Sequence, residues 1–554
     1  MTMKASLARP RFLLSSLSMV IIAASLGGCL SGSGSDSDAA TPPPANPLIA
    51  TTAQGDVQGV ELTNMRVFRG IPYAAPPVRF AAPEPALNRA STLQLTEDFG
   101  ADCAQPGGTF GSESTAEDCL FLNVYAPQAP GDYPVMLWIH GGAFVTGSGG
   151  ASYEPSRLVE QGVVVVTINY RLGALGFLPH SSLADESGNY GNYGLMDQQE
   201  ALRWVQENIS AFDGDPDNVT IFGESAGGHS VLSHVVSPSS EGLFHKAIVQ
   251  SGAYNPTQVS QAAGQIGLGT PFVEATGCDE AADTGQCLRG LPVATVLANQ
   301  LSNYIPVVNA TNTGILPLSI DAGLSSGDFN QAPMLMGSNQ DEGRLFVAID
   351  VFSQRPVTAD NYQTKVNDLL ALDPRPYPRE PIAEDYLIDT REEGIATTEA
   401  QVYPLALAAI QTDWRFACPN LNQLNQVRSA QVPVWGYWFT DRNAPNILGA
   451  SPGFPLGATH AFEIQYVLNN EAALQQRGAT EAQIELSRRM VEYWANFAKF
   501  SDPNSTDGAA GAVTWDGYTG LQGNLLDLDP VTLSQVPATE FVDYHSCAYW
   551  ANPQ

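Results

Sequence analysis

The residues of this chain whose types and order could do chemistry are a serine set between glycines, a Gly-rich run behind a histidine, and a later acid and histidine in Gly-bearing loops. Gly223-Glu224-Ser225-Ala226-Gly227-Gly228 follows an apolar β-branched run at 219–222 and precedes a helical run from 226 to about 236. A sharp strand-to-helix turn holds a serine in a strained conformation with its hydroxyl presented, and flanking glycines remove the side chains that would clash. A G-x-S-x-G alone is a common Gly-rich loop; its place between strand and helix makes Ser225 the candidate nucleophile. His140-Gly141-Gly142-Ala143-Phe144 lies directly after a second apolar run, at 135–139. Acyl transfer passes through a tetrahedral oxyanion, and small residues let backbone N–H groups approach it, each donor contributing roughly 10² to 10³ in rate. Gly142, Ala143 and Ala226 are the expected donors, with Gly141 shaping the turn and His140 a structural part of the loop.

A serine on such a strand–turn–helix unit is followed in the chain first by its acid and then by its histidine. Of seven histidines, only His460 and His545 follow an acid that a further strand places after the serine. His545 is two residues from Cys547, where a disulfide would pin it, so His460 is the expected base. The acid is Asp341 or Glu342, adjacent in Gly337-Ser338-Asn339-Gln340-Asp341-Glu342-Gly343 behind the apolar run at 334–336. A turn at the C-terminal end of a strand brings a carboxylate to the site, and pattern does not choose between the two. The chemistry implied is two-step acyl transfer through an acyl-serine, which needs no metal or organic cofactor. No C-x-x-C pair or H-E-x-x-H marks a metal site, and His229 and His234, five apart on a helical run, do not share a face. The S-x-x-K pattern of lactam-interacting enzymes is absent from the Ser225 segment.

These residues need elements to position them. Apolar runs at 135–139, 163–168, 219–222, 247–249, 334–336 and 434–439 read as strands buried on both faces. Residues 197–209 have helical character, with Leu202, Val205 and Ile209 on one face and Asp197 and Glu200 spaced as an N-terminal cap. A further helical stretch runs over 481–500. Alternating strand and helix predicts an α/β fold with a mostly parallel sheet, and no repeat or composition break marks a second domain after Pro47.

Apolar residues make up 44% of the 554 and charged residues 15%, as in a packed globular protein. With 57 Asp and Glu against 25 Lys and Arg, the net charge of −32 excludes nucleic acid as a partner and fits a solvated acidic surface. The first residues have the layout of an export signal: Lys4, Arg9 and Arg11, an apolar stretch over 12–26, then small residues. That stretch is too short for a membrane span, which needs roughly 20 apolar residues. It ends in Leu26-Gly27-Gly28-Cys29, which resembles the bacterial lipoprotein signal with its acylated cysteine. The expected layout is a signal peptide over 1–28, a lipidated Cys29 with a Ser, Gly, Asp and Pro tether to 47, and a catalytic domain over 48–554. Leu30 resembles the residue of lipoproteins sent to the outer membrane, so the expectation is an exported bacterial protein held to a membrane only through Cys29. Removing Cys29 from the seven cysteines leaves six, Cys103, Cys119, Cys278, Cys287, Cys418 and Cys547, which export places where disulfides persist. Sequence permits fifteen pairings; the spacings hint at local loops for the first two pairs.

Glu117-Asp118-Cys119-Leu120-Phe121-Leu122-Asn123, HGGAF at 140–144, Asn169-Tyr170-Arg171-Leu172-Gly173, FGESAGG at 222–228, GSNQDEG at 337–343 and GATHAFE at 457–463 together resemble the type-B carboxylesterase family, which includes the cholinesterases. The resemblance runs from about Gly55 to Trp550. It implies an α/β-hydrolase fold, a central mostly parallel sheet flanked by helices with large loop and helical insertions, and hydrolysis of small to medium carboxylic esters. It points to Glu342 over Asp341 as the acid and to His460 as the base. It also implies disulfides Cys103–Cys119, Cys278–Cys287 and Cys418–Cys547, contributing roughly 3 kcal/mol for a loop of the first size and about 5 for the last. Glu224 and Glu463 match family positions and read as positioning residues. Cholinesterases stack choline on a tryptophan in the first disulfide loop; here that loop has only Phe110 as an aromatic residue, which disfavours choline esters. The alternatives are a lipase for longer acyl chains and a non-catalytic family member acting as a binding protein.

Overall fold

In the computed structural model, fourteen strands follow one another among the described residues. They are β1 (Ile49–Thr52), β2 (Gly55–Gln58), β3 (Val60–Leu62), β4 (Met65–Pro72), β5 (Leu93–Gln94), β6 (Phe121–Pro127), β7 (Tyr133–Ile139) and β8 (Val164–Ile168). The second half supplies β9 (Gly214–Glu224), β10 (Lys246–Gln250), β11 (Met334–Asn339), β12 (Val434–Phe439), β13 (Asn524–Leu528) and β14 (Ser534–Pro537). The structure describes residues 46–551 apart from 63, 109–110, 302, 310, 312, 373–376, 393–395 and 505–512. The expected signal, Cys29, the tether as far as 45, and Phe110 lie outside the described residues.

Eleven strands form one sheet in the order β14-β13-β12-β11-β10-β9-β7-β8-β6-β4-β3, while β1, β2 and β5 form a small separate one. From β8 through β7, β9, β10, β11 and β12 to β13 the pairing is parallel; the outer strands pair antiparallel. All six runs expected as strands lie in this parallel part. Successive side chains of a strand point to opposite faces, and the core divides accordingly: Val135, Leu137 and Ile139 pack into one apolar layer, Met136 and Trp138 into the other. Helix Glu481–Phe500 covers the second layer through Leu486, Met490, Trp494 and Phe497. Its start is fixed by a capping box in which Thr480 and Gln483 satisfy each other's backbone N–H groups. A third apolar cluster binds together the helices inserted between β11 and β12.

The helix expected from Asp197 begins one turn earlier, spanning Tyr193–Asn208 with Asn192 as its N-cap. Asp197 does not cap it. Its carboxylate is fully buried and takes two hydrogen bonds from the Arg171 guanidinium, at 2.7 and 2.8 Å, and one from the Arg171 backbone N–H. A charge this deep needs such a partner, and the need outweighs the local cap spacing. Disulfides join Cys103 to Cys119, Cys278 to Cys287 and Cys418 to Cys547. Such bonds persist in oxidising compartments. Among the described residues, no helix is long and apolar enough to cross a membrane.

Candidate active site

β9 is the middle strand of the large sheet, with five strands on each side, and Ser225 stands at its C-terminal end. The chain turns there directly into helix Ala226–Val235, with Ser225 at φ 55° and ψ −120°. A non-glycine residue so placed stores about 1–3 kcal/mol of strain, held here by the Ser225 N–H donating to the Gln250 carbonyl at 2.9 Å. The flanking glycines are a steric necessity. A Cβ on Gly227 would stand 1.8 Å from the Ile139 carbonyl oxygen, and one on Gly223 2.5 Å from the Gly227 backbone.

The loop after β7 packs against this turn. A Cβ on Gly141 would lie 2.8 Å from a Glu224 carboxylate oxygen and 3.2 Å from the Ser225 Cβ. Gly142, Ala143 and Phe144 all take positive φ, and His140 anchors the loop by stacking on Tyr170 at 4.4 Å. Among the described residues, the N–H groups of Gly142, Ala143 and Ala226 donate to no acceptor. Three backbone donors thus remain free beside the serine, Ala226 contributing the positive end of its helix.

The loops after β11 and β12 bring an acid to an imidazole. Glu342 is buried at the start of helix Gly343–Phe352. Its Oε2 lies 2.5 Å from His460 Nδ1, and its Oε1 accepts the Asn339 N–H at 2.8 Å. The adjacent Asp341 is engaged elsewhere: Oδ1 pairs with Arg344 at 2.7 Å and Oδ2 accepts the Ala458 N–H at 3.0 Å. Gly457, at φ +64°, makes room for that carboxylate, which a Cβ would meet at 2.2 Å.

His460 Nε2 lies 3.1 Å from Glu224 Oε1, off the line of a hydrogen bond, and has no hydrogen-bond partner. Its imidazole is therefore not bonded to the Ser225 hydroxyl in this structure, which instead lies beside the Tyr254 phenol. Contacts of this kind are often unformed before substrate arrives. Glu463 sits beneath, accepting from Gln250 Nε2 at 3.1 Å and Asn339 Nδ2 at 2.6 Å, while Gln250 in turn accepts from Trp494. Burial works against a charged His460, but Glu224 and Glu342 outweigh it and hold the imidazole up at about 9. Burial pushes the Glu224 carboxyl up to about 8, against the pull of His460 and aided by Glu463 and Glu342. Burial and then Glu342 raise the Glu463 carboxyl.

Asn339, Gln250, Tyr254, Phe346 and Phe416 complete the surroundings and were not singled out in the sequence. The rings of Phe346 and Phe416 lie 5.0 and 4.9 Å from the His460 ring. Asn339 was within reach, since it lies inside the GSNQDEG segment. The others come from distant stretches with no local signature. His545, set aside above, also meets an acid, Asp413, at 2.6 Å. That pair packs against Trp438, Phe541 and Tyr544. Among the described residues, no group of His, Cys, Asp and Glu could hold a metal ion.

This arrangement can take a proton from a hydroxyl, form an acyl bond and hold an oxyanion. Known proteins resemble the chain over most of its length. The model of the carboxylesterase family matches residues 46–550. The chain is 36% identical to the acylcarnitine hydrolase of Mus musculus over 499 residues, covering 84% of this chain and 85% of the relative. It is 34% identical to the para-nitrobenzyl esterase of Bacillus subtilis over 522 residues, 89% of this chain and 97% of the relative. Identity to the cocaine esterase of Homo sapiens is 36% over 503 residues, 85% of this chain and 86% of that protein. The chain belongs to the carboxylesterase family and is a carboxylic ester hydrolase.

Proposed function

We propose that this protein hydrolyses small to medium carboxylic esters through an acyl-enzyme on Ser225, with His460 as general base and Glu342 as its acid partner. The observation that carries the reading is the 2.5 Å contact between Glu342 and His460 Nδ1, set beside a serine held at positive φ. His460 Nε2 turns from Glu224 to the Ser225 hydroxyl and takes its proton as the oxygen attacks the ester carbonyl. The oxyanion accepts from the N–H groups of Gly142, Ala143 and Ala226. The imidazolium gives its proton to the departing alcohol, then activates the water that releases the acid. Glu342 orients the ring and stabilises its cationic form; Glu224 and Glu463 position the site. Hydrolysis of p-nitrophenyl esters from acetate to palmitate, with Ser225→Ala as control, tests this. Turnover falls at least about 10⁴-fold in the variant, and the chain-length optimum separates an esterase from a lipase. Activity surviving in Ser225→Ala would overturn the mechanism.

The same reading extends to the chain's N-terminal part: 1–28 as a signal peptide, Cys29 as a lipid-bearing residue, and the stretch to 47 as a tether for the domain over 48–554. What supports it is the leader's layout and the cysteine count. Six of the seven cysteines are paired in disulfides, leaving Cys29 for acylation.

A further inference from the structure

Arg415 takes no part in the chemistry above, yet it stands at the site. It lies in the π-helical turn Asp413–Ala417, which joins helices Glu399–Thr412 and Cys418–Ser429. Such widened turns recur at functional sites. Its guanidinium carbon is 5.2 Å from the centre of the Tyr254 ring and 5.7 Å from those of Phe346 and Phe416. Phe346 and Phe416 pack on the His460 imidazole, and Tyr254 lies beside the Ser225 hydroxyl. The cation is thus one ring away from the proposed nucleophile and base.

Arg415 is half-buried, with its Nε shut off from water, and an arginine drawn even partly into a protein interior ordinarily has a carboxylate partner. Arg171 has Asp197, Arg344 has Asp341 and Arg66 has Asp213. Arg415 has none: among the described residues no ion pair or hydrogen bond reaches its guanidinium, and its Nε is buried without an acceptor. Burial accordingly weakens its hold on its proton, offset only by the Tyr254 phenol. The three rings fix the guanidinium by cation–π contact without neutralising it, so its N–H fork stays available to an anion of matching planarity. Glu224, Glu342 and Glu463 make the rest of the site repel anions, and the chain carries −32 overall. A lone cation kept here, at the cost of leaving it unpaired, has its use only when the missing carboxylate arrives with the substrate.

We propose that Arg415 binds a carboxylate of the substrate, so that the preferred esters are those carrying a second, ionised carboxyl group close to the scissile bond, such as half-esters of dicarboxylic acids. This rests on the Ser225 esterase reading. The test compares wild type, Arg415→Met and Arg415→Lys, each counted by organophosphate labelling of its active sites. Two matched ester pairs are used: monomethyl adipate against methyl hexanoate, with the charge on the acyl side, and para-acetoxybenzoate against phenyl acetate, with the charge on the leaving side. In Arg415→Met, kcat/KM for at least one charged ester falls about 30- to 100-fold while its neutral partner changes less than about threefold. Arg415→Lys, which keeps the charge and loses the fork, recovers part of the loss. The pair that responds locates the carboxylate. Charged-to-neutral ratios unchanged in a labelled Arg415→Met overturn the proposal, and if that variant does not fold, unchanged ratios in Arg415→Lys do so. A well-folded wild type that neither labels nor turns over any of the four esters defeats the esterase reading itself, and this proposal falls with it.

Discussion

Glu342→Gln separates the proposed acid from its neighbour more sharply than any other substitution. Glu342 is wholly buried and His460 nearly so, with 2.5 Å between Oε2 and Nδ1. On the proposed mechanism the imidazolium formed during acyl transfer faces the Glu342 carboxylate across a contact shielded from water. Two unit charges 4 Å apart interact by about 4 kcal/mol at the effective dielectric typical of protein sites. Losing that interaction in the transition state slows turnover by about 10³-fold. The amide still accepts the Asn339 N–H, so the loop keeps its shape. Because Glu342 helps hold the His460 imidazole up at about 9, its removal also lowers that value, and the acidic limb of the pH–rate profile moves to lower pH. The assay is steady-state hydrolysis of p-nitrophenyl acetate from acid to alkaline pH, per organophosphate-titrated site. Asp341→Asn is the control: it weakens a buried pair with Arg344, lowers stability by about 3 kcal/mol, and leaves kcat within about tenfold. A Glu342→Gln enzyme within fivefold of wild type on the alkaline plateau, or an Asp341→Asn enzyme equally slowed, refutes the assignment.

Glu224→Gln tests the other carboxylate facing the imidazole. Glu224 is the foremost of the groups that raise His460, so its neutralisation shifts the acidic limb of kcat/KM to lower pH, while the plateau kcat changes by less than about tenfold because Glu224 donates to no reacting atom. A plateau loss comparable to that of Glu342→Gln would make it more than a positioning residue. The N-terminal reading is checked by fractionating cells that express the full chain: wild type sediments with membranes and is extracted by detergent, whereas Cys29→Ser stays out of the membrane fraction. Identical partition of the two excludes the anchor.

The parts of the fold legible in the sequence are those whose physics is local. The six β-branched runs of the parallel strands announce themselves because strands buried on both faces must be apolar throughout. The outer strands β3, β4, β6, β13 and β14 carry no such signal, since a strand toward the margin of a sheet becomes one only through its partners. Helix Glu481–Phe500 declares its start through Thr480 and Gln483, whereas the same kind of spacing at Asp197 misleads because Arg171, twenty-six residues away, claims the carboxylate. Asp341 and Glu342 are indistinguishable by pattern and become distinct only when Ala458 and Arg344 occupy the first and His460 meets the second. Arg415 left a faint mark, a single cation inside the largely apolar stretch 405–417, but its meaning depends on Tyr254 and Phe346, far away in sequence.

The proton inventory of the site ties its geometry to its chemistry. His460 faces Glu342 on one nitrogen and Glu224 on the other, with Glu463 beneath. With both facing carboxylates ionised, the imidazole keeps its proton well above neutrality and cannot accept one from Ser225. Burial, however, also raises Glu224. Once Glu224 holds the proton, His460 loses one of its two charged neighbours, and its affinity for protons drops toward the range a general base needs. The titration thus belongs to the pair rather than to either residue. In the proposed mechanism Glu342, fixed by the Asn339 N–H and by Nδ1, remains to stabilise the imidazolium when the serine's proton arrives. On the proposed mechanism labour is divided by position: the carboxylate on Nδ1 supports the charge during reaction, and the one on Nε2 sets the pH at which the base becomes available.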